Sequence, residues 1–191
     1  MIYADPPWAW TKGEFVNRGS ARTVEKEYPT LQPDEVAALP VGKWAMDDSV
    51  LFLWTTGPKL PIALNVLRTW GFTYKTIGFA WVKKNRKSDS LFWGLGFYTR
   101  ANAELCLVAT KGSPTRQSAS VHQIVESPVG RHSEKPEEVR RRIEQLYPGP
   151  YLELFARRRA PNWDAWGLEV PSEGSVGHAI NNRRPINLLA P

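Results

Sequence analysis

The feature that most limits how this chain can fold is the pair Pro6-Pro7, set directly behind the apolar triplet Ile2-Tyr3-Ala4 and Asp5. The triplet reads as a short strand, and a strand that runs into two prolines must stop, because neither has an N–H to give to a ladder. The strand therefore ends on Asp5. A carboxylate is left at the C-terminal end of a strand, followed by backbone stiff in φ and by the large aromatic Trp8. That arrangement suits the holding of one flat polar ligand. The four letters are equally compatible with an acid in a turn and a tryptophan packed on a proline.

At 191 residues and 42% hydrophobic content the chain can bury one sizeable core. We read one domain over residues 1–170 and an irregular C-terminal tail over 171–191. Nine tryptophans are many, and 16 prolines with 14 glycines imply numerous loops between short elements. Several of the tryptophans are expected in a site and not in the core. Lys and Arg outnumber Asp and Glu by 25 to 19, a net charge of +6 that favours a polyanionic partner. The single cysteine, Cys106, lies in the apolar run "AELCLVAT"; it has no internal partner for a disulfide and reads as a small core residue. With no leader-like N-terminus and no apolar run of bilayer length, we expect a cytoplasmic protein without a membrane association.

Residues 9–31 are polar and aperiodic, which reads as a long loop beside the acid, of the kind that forms lids or binding loops. "QPDEVAALP" predicts a short helix with Pro33 at its first position and Pro40 closing it. "SVLFLWTT" is a buried strand, and "PKLPIALNVLRTWG" is an amphipathic helix with Gly71 just past its end. Further strands are expected at "FTYKTIGFAWVKKN", "AELCLVATKG", "YLELFARR" and, more weakly, "HQIVES". Between the first two of these lies the aromatic, glycine-rich loop "SDSLFWGLGFYTR". The segment "SEKPEEVRRRIEQLYPG" predicts a helix capped by Ser133, with acids in its first turn. From about Pro161 the chain reads as irregular. The order of elements implies an α/β sheet covered on both faces.

Common site signatures are missing. His122, His132 and His178 have no close second ligand, so no metal is expected. No glycine fingerprint for dinucleotides, phosphate loop or hydrolase elbow occurs either.

Three segments occur together: "DPPW" at 5–8, "KPEEVRRRIEQLYPGPYLELFARR" at 135–158 and "PNWDAWGLEV" at 161–170, with "ANAELCLVATKGSP" between the first two. In this order they resemble the adenine N(6)-methyltransferases related to the catalytic subunit of the eukaryotic messenger-RNA adenosine methyltransferase, a family with phage and bacterial members. The resemblance implies a Rossmann-like S-adenosylmethionine-dependent methyltransferase fold, an α/β architecture with a mixed, mostly parallel sheet and helices on both faces. It implies S-adenosyl-L-methionine as cofactor and Asp5, Pro6, Pro7 and Trp8 as the catalytic set. Asp5 and the Pro6 carbonyl would accept the two hydrogens of the target amine, Pro7 would stiffen the backbone and Trp8 would stack on the base. Asp5 would also border the cofactor, whose methionine carboxylate would pair with Lys135 and whose ribose region would meet Arg157. Asn162 and Glu169 would bind the ribose hydroxyls or the adenine amino group of the cofactor. Many relatives have Asn where this chain has Leu168, which removes one ribose hydrogen bond.

The charge distribution adds a candidate phosphate-binding rim of Arg18, Arg22, Lys26, Lys83, Lys84, Arg86, Lys87 and Arg157 to Arg159. The loops at 9–31 and 84–99 are the expected base readers. Short members of the family commonly act on DNA, so by resemblance the expected partner is DNA in a phage or bacterial host cell. RNA, or a silent nucleic-acid-binding scaffold of the same fold, is the alternative. A homodimer or a heterodimer with a related subunit is also implied.

Overall fold

The structure is a computed structural model that describes residues 1–9, 29–94, 96, 98–130 and 134–170. Its elements are, in order, β1 (Ile2–Ala4), α1 (Pro33–Ala38), α2 (Val41–Trp44), β2 (Ser49–Thr55), α3 (Leu60–Thr69), β3 (Thr73–Lys84), β4 (Ala103–Lys111), β5 (Ile124–Pro128), α4 (Glu137–Leu146), β6 (Tyr151–Leu154) and β7 (Trp163–Trp166). The strands form one 7-stranded sheet in the order β5-β3-β4-β2-β1-β6-β7. Parallel pairs join β1 to β2 and β6, β3 to β5, and β6 to β7, while β4 runs antiparallel to both β2 and β3. Six strands therefore share one direction and only β4 is reversed.

β2 lies near the middle and every one of its residues is buried. Its near-continuous apolar sequence is what a strand covered on both faces requires. Alternation then divides it. Leu51 and Leu53 join Ile2, Ala4 and the buried faces of α1, α2 and α3 on one side. Val50, Phe52 and Trp54 join Tyr3 and the α4 residues Val139 and Ile143 on the other. The predicted helices on both faces are thus present, with Cys106 fully buried in the second cluster. Gly71 ends α3 at φ +82°, with Phe72 N–H donating to Leu67 C=O, a left-handed stop that glycine adopts at little cost.

The structure corrects the sequence reading in four places. Asp5 is the first residue beyond β1 and not its last. The helix read before Pro40 does end there, as α1 with its C-cap at Leu39, but a second short helix that the sequence did not show, α2, follows at once with Pro40 as its N-cap. The N-cap of α4 is Pro136, and the expected cap Ser133 lies outside the described residues. The stretch after Pro161 is not irregular: Trp163–Trp166 adds an edge strand parallel to β6. Four residues are too short to show a period, which is why β7 escapes a sequence reading. Arg18, Arg22 and Lys26, His132 and His178, and the tail 171–191 also lie outside the described residues. Among the described residues no helix is long and apolar enough to cross a membrane.

Candidate active site

Because six strands run the same way, the segments that follow them collect at one end of the sheet. β1 has β2 on one side and β6 on the other, so the chain leaves β1 in one direction and returns on the opposite flank. A crevice at such a switch point is where open α/β sheets hold ligands. Asp5 stands at its mouth.

The residues behind Asp5 are held by their own backbone. Trp8 N–H donates to the Pro6 carbonyl at 2.8 Å, a tight turn that the fixed proline φ favours. A carbonyl has two acceptor sites, so Pro6 retains one. Leu31 N–H donates to Pro7 C=O and Ala9 N–H to Leu31 C=O, both at 2.9 Å. These bonds join the two ends of the long loop and anchor it to the motif. Trp8 is 8% exposed, and its indole N–H donates to Trp54 C=O at 3.2 Å. It belongs to the core cluster on the α1–α3 side of the sheet, so little of its ring is open for the expected stacking on a base.

The partner of Asp5 is Lys135. Its ammonium donates to Asp5 Oδ2 at 2.8 Å and lies 3.3 Å from Glu104 Oε2, with the Trp54 ring beneath it at 5.5 Å. Lys83 donates to the other oxygen of Glu104. Asp5, Lys135, Glu104 and Lys83 thus form an alternating chain of charges across the ends of β1, β4 and β3. Trp54 is in turn fixed by the 2.7 Å bond from its indole N–H to the Tyr3 hydroxyl.

The two acids respond differently to burial. At Asp5, desolvation pushes the carboxyl above its ordinary value, and the opposing charge of Lys135 does not fully offset it. At Glu104, burial also pushes upward, but the ammoniums of Lys135 and Lys83 together outweigh it and hold the carboxyl below its usual range. Burial opposes the charge of Lys135, but Asp5 and Glu104 prevail and raise its pKa. Glu104 is therefore a settled anion and Asp5 an anion kept at a cost, a pattern typical of working groups.

Of the other predicted residues, Arg157 follows β6 at the same end, close enough for its charge to act on Asp5, and its Nε lies 3.8 Å from Glu169 Oε1. Asp5, Lys135, Arg157 and Glu169 are brought together. Asn162 is not: it directly precedes Trp163, which pairs with Tyr151 at the start of β6, the opposite end of the sheet. There it is exposed, with φ +65°, a turn conformation that asparagine tolerates. Leu168 is exposed at the site end. Within the expected cationic rim, Lys83 is bound to Glu104, Lys84 to Asp89 and Glu126, Arg86 to the carbonyls of Val129 and Gly130, and Arg158 to Glu137.

Sequence reasoning missed Glu104. The signal was present, since an acid in the apolar run "AELCLVAT" must have a buried cationic partner to be tolerated. What the sequence hid was that the partner is Lys135, supplied from 31 positions further along.

The group can accept a zwitterionic donor. Lys135 and Arg157 provide cations for a carboxylate, Asp5 and Glu104 provide negative potential for a positive sulfur, and Thr56 Oγ1, just beyond β2, is buried without a hydrogen-bond partner. The comparison with known proteins agrees. The family model MT-A70 matches residues 1–169. The Type II methyltransferase M.MunI of a Mycoplasma species is 38% identical over 189 residues, covering 90% of this chain and 77% of its own length. The N(6)-adenosine-methyltransferase catalytic subunit METTL3 of Homo sapiens is 31% identical over 175 residues, 89% of this chain but 28% of METTL3. The MT-A70-like protein of Drosophila melanogaster is similar, at 32% identity with 26% of its length covered. With its sheet order, the acid at the switch point and a family match over nearly every described residue, this chain belongs to the MT-A70 family of Rossmann-like, S-adenosylmethionine-dependent adenine N(6)-methyltransferases.

Proposed function

We propose that the chain methylates adenine N(6) in DNA, with the target amine at Asp5 and the Pro6 carbonyl and S-adenosylmethionine held by Lys135, Arg157 and Glu169. The observation that carries this is the part-buried ion pair of Asp5 with Lys135 at the switch point of the sheet. DNA is favoured over RNA by the greater identity to the type II methyltransferase and the larger share of that protein matched.

When bound, the cofactor supplies an electrophilic methyl group. The amine of adenine is a weak nucleophile, because its lone pair is delocalised into the ring. Asp5 and the free acceptor site of Pro6 draw on its two hydrogens, which favours the pyramidal nitrogen that carries positive charge in the transition state. The Pro-Pro backbone and the Trp8 turn fix both acceptors beforehand, so little reorganisation is needed. As the nitrogen becomes cationic, Asp5 is the nearest group to take its proton. Lys135 serves both sides of the site: pairing with the methionine carboxylate loosens its hold on Asp5 and leaves that carboxylate for the amine. Asn162 is left out of the set because of its position at the other end of the sheet.

The test is transfer of labelled methyl from S-adenosylmethionine to matched single-stranded DNA, duplex DNA and RNA, with mass analysis of the nucleosides. N(6)-methyldeoxyadenosine, lost in Asp5→Ala, is the expected product. Label in RNA alone would replace DNA as the substrate, and a folded protein that labels none of the three would be a silent scaffold.

A further inference from the structure

The loop between β3 and β4 is not used by the chemistry above. It displays Trp93, 72% exposed, and Tyr98, fully exposed, in a molecule whose other described tryptophans are buried or half-buried. Large aromatics on a free surface are costly unless something covers them.

This display is built. Phe92 N–H donates to Lys83 C=O at 2.8 Å and Asn85 N–H to Ser90 C=O at 2.9 Å, while the Asn85 side chain bonds Ser90 Oγ and Leu91 C=O. A Cβ at Gly94 would run into the Ala101 carbonyl and one at Gly96 into the Thr99 carbonyl. The loop therefore doubles back on itself, backbone against backbone, and only glycine permits the approach. Trp93 stands at the base of this fold, just before Gly94, and Tyr98 at its tip, between Gly96 and Thr99.

Its location and charge indicate what covers it. The loop opens at the sheet end that holds Asp5, and its base is tied to that acid through Lys83, Glu104 and Lys135. From Lys83 to Asn102 the sequence carries five cations and one acid. Lys84 and Arg86 are engaged within the protein, but Lys87 and Arg100 are exposed on the loop and enter no ion pair with a described residue. Aromatic faces interleaved with free cations are the chemistry of a groove for unpaired nucleic acid, where bases stack and phosphates pair.

We propose that Trp93 and Tyr98 form a stacking platform for unpaired bases next to the target adenine, with Lys87 and Arg100 on the adjoining phosphates. The proposal rests on the reading of the chain as a nucleic-acid adenine methyltransferase and adds the surface that receives the strand. Stacking is indifferent to base identity, so the platform positions the strand and favours bases already out of a duplex.

The test measures binding of a labelled single-stranded DNA with one central adenine to the wild type and to Trp93→Ala, Tyr98→Ala and Trp93→Phe, beside an oligonucleotide abasic on both sides of the adenine. Each alanine variant is expected to weaken binding of the intact strand about tenfold, with Trp93→Phe near wild type, because a base stacked on one aromatic contributes of that order. On the abasic strand the wild type and alanine variants should bind alike. Lys87→Ala with Arg100→Ala should flatten the salt dependence by about 1.4 units of slope, the value for two phosphate contacts on a single strand. Equal affinity of wild type and alanine variants for the intact strand would overturn the platform. So would a change of wild-type dimers to monomers in the variants by light scattering at unchanged DNA affinity, since a second protein subunit would then be the occupant. Methyl transfer by the wild type is measured on the same strands, so failure of the parent reading shows as no product at all, separately from a failed platform.

Discussion

Asp5 and Glu104 share one lysine and differ in what they contribute. Burial wins at Asp5, so its ionised form is held against its own preference, whereas two ammoniums make Glu104 a favourable anion. Asp5→Asn is therefore expected to lower methyl transfer by about 10²–10³-fold, the scale for loss of one preset polar contact in a transition state, while leaving the melting temperature equal or higher. Glu104→Gln should do the reverse to stability: it leaves Lys83 and Lys135 short of an acid, and loss of one partner from a buried pair costs about 3 kcal/mol, measurable by denaturant unfolding. The pH dependence follows from the same two directions. Asp5 must be ionised to accept an amine hydrogen, so kcat/KM should fall on acidification through a midpoint above 3.8, the ordinary aspartate value. Lys135→Met removes the charge that holds this carboxyl down, and the acid limb should move to higher pH. For stability the signs are opposite: the raised Asp5 pKa makes the fold less stable as pH rises from the ordinary value through the raised one. The lowered Glu104 pKa gives stability that is present above its ordinary value and lost as pH falls through the folded one.

At the scale of elements, α4 decides how well Lys135 is aimed. The helix is held to the sheet by two fully buried side chains, Val139 and Ile143, and by Arg140, which pairs with Glu137 and with Glu153 on β6 while lying over the Tyr3 and Trp163 rings. Ile143→Ala is expected to cost about 2–5 kcal/mol, the range for truncating a fully buried aliphatic residue. Because Lys135 immediately precedes the N-cap Pro136, the same variant should weaken cofactor binding in calorimetry at temperatures where it is still folded. Cofactor affinity equal to wild type would mean that Lys135 is set by the 129–135 segment and not by the helix. The apolar and acidic letters of "KPEEVRRRIEQL" give this helix away in the sequence. They do not show that Arg140, in a run of three arginines, is the one that turns inward. That depends on Glu153 standing opposite on a strand.

At the scale of the molecule, the site is assembled from segments that follow β1, β5, β6 and β7 and from the adjoining end of β4, so a ligand spanning it ties distant parts of the chain together. S-adenosylmethionine at a hundredfold its Kd should add about 2.7 kcal/mol to the stability of the folded state. For a chain of this size that corresponds to a rise in Tm of roughly 5–10 °C. Lys135→Met should lose most of this shift at the same cofactor concentration, while the unliganded Tm reports separately on the fold. An undiminished shift in the variant would remove Lys135 from the cofactor's site.

The sequence by itself determined α1, α3 and α4, six of the seven described strands and the end of β1 to within one residue, because periodicity, proline and glycine act over a few residues. It also determined the family, through motifs whose letters need no coordinates. Only the tertiary structure decided which charges meet. Asp5, Glu104 and Lys135 are far apart in the chain, and their neighbourhood follows from the order of strands in the sheet. The same order places Asn162 at the far end although it is seven residues from Glu169, since a four-residue strand invisible to periodicity separates them. Trp8 and Trp93 look alike as letters, but one is packed in the core and the other is an open face. Burial depends on what folds over a residue, and local sequence does not contain that.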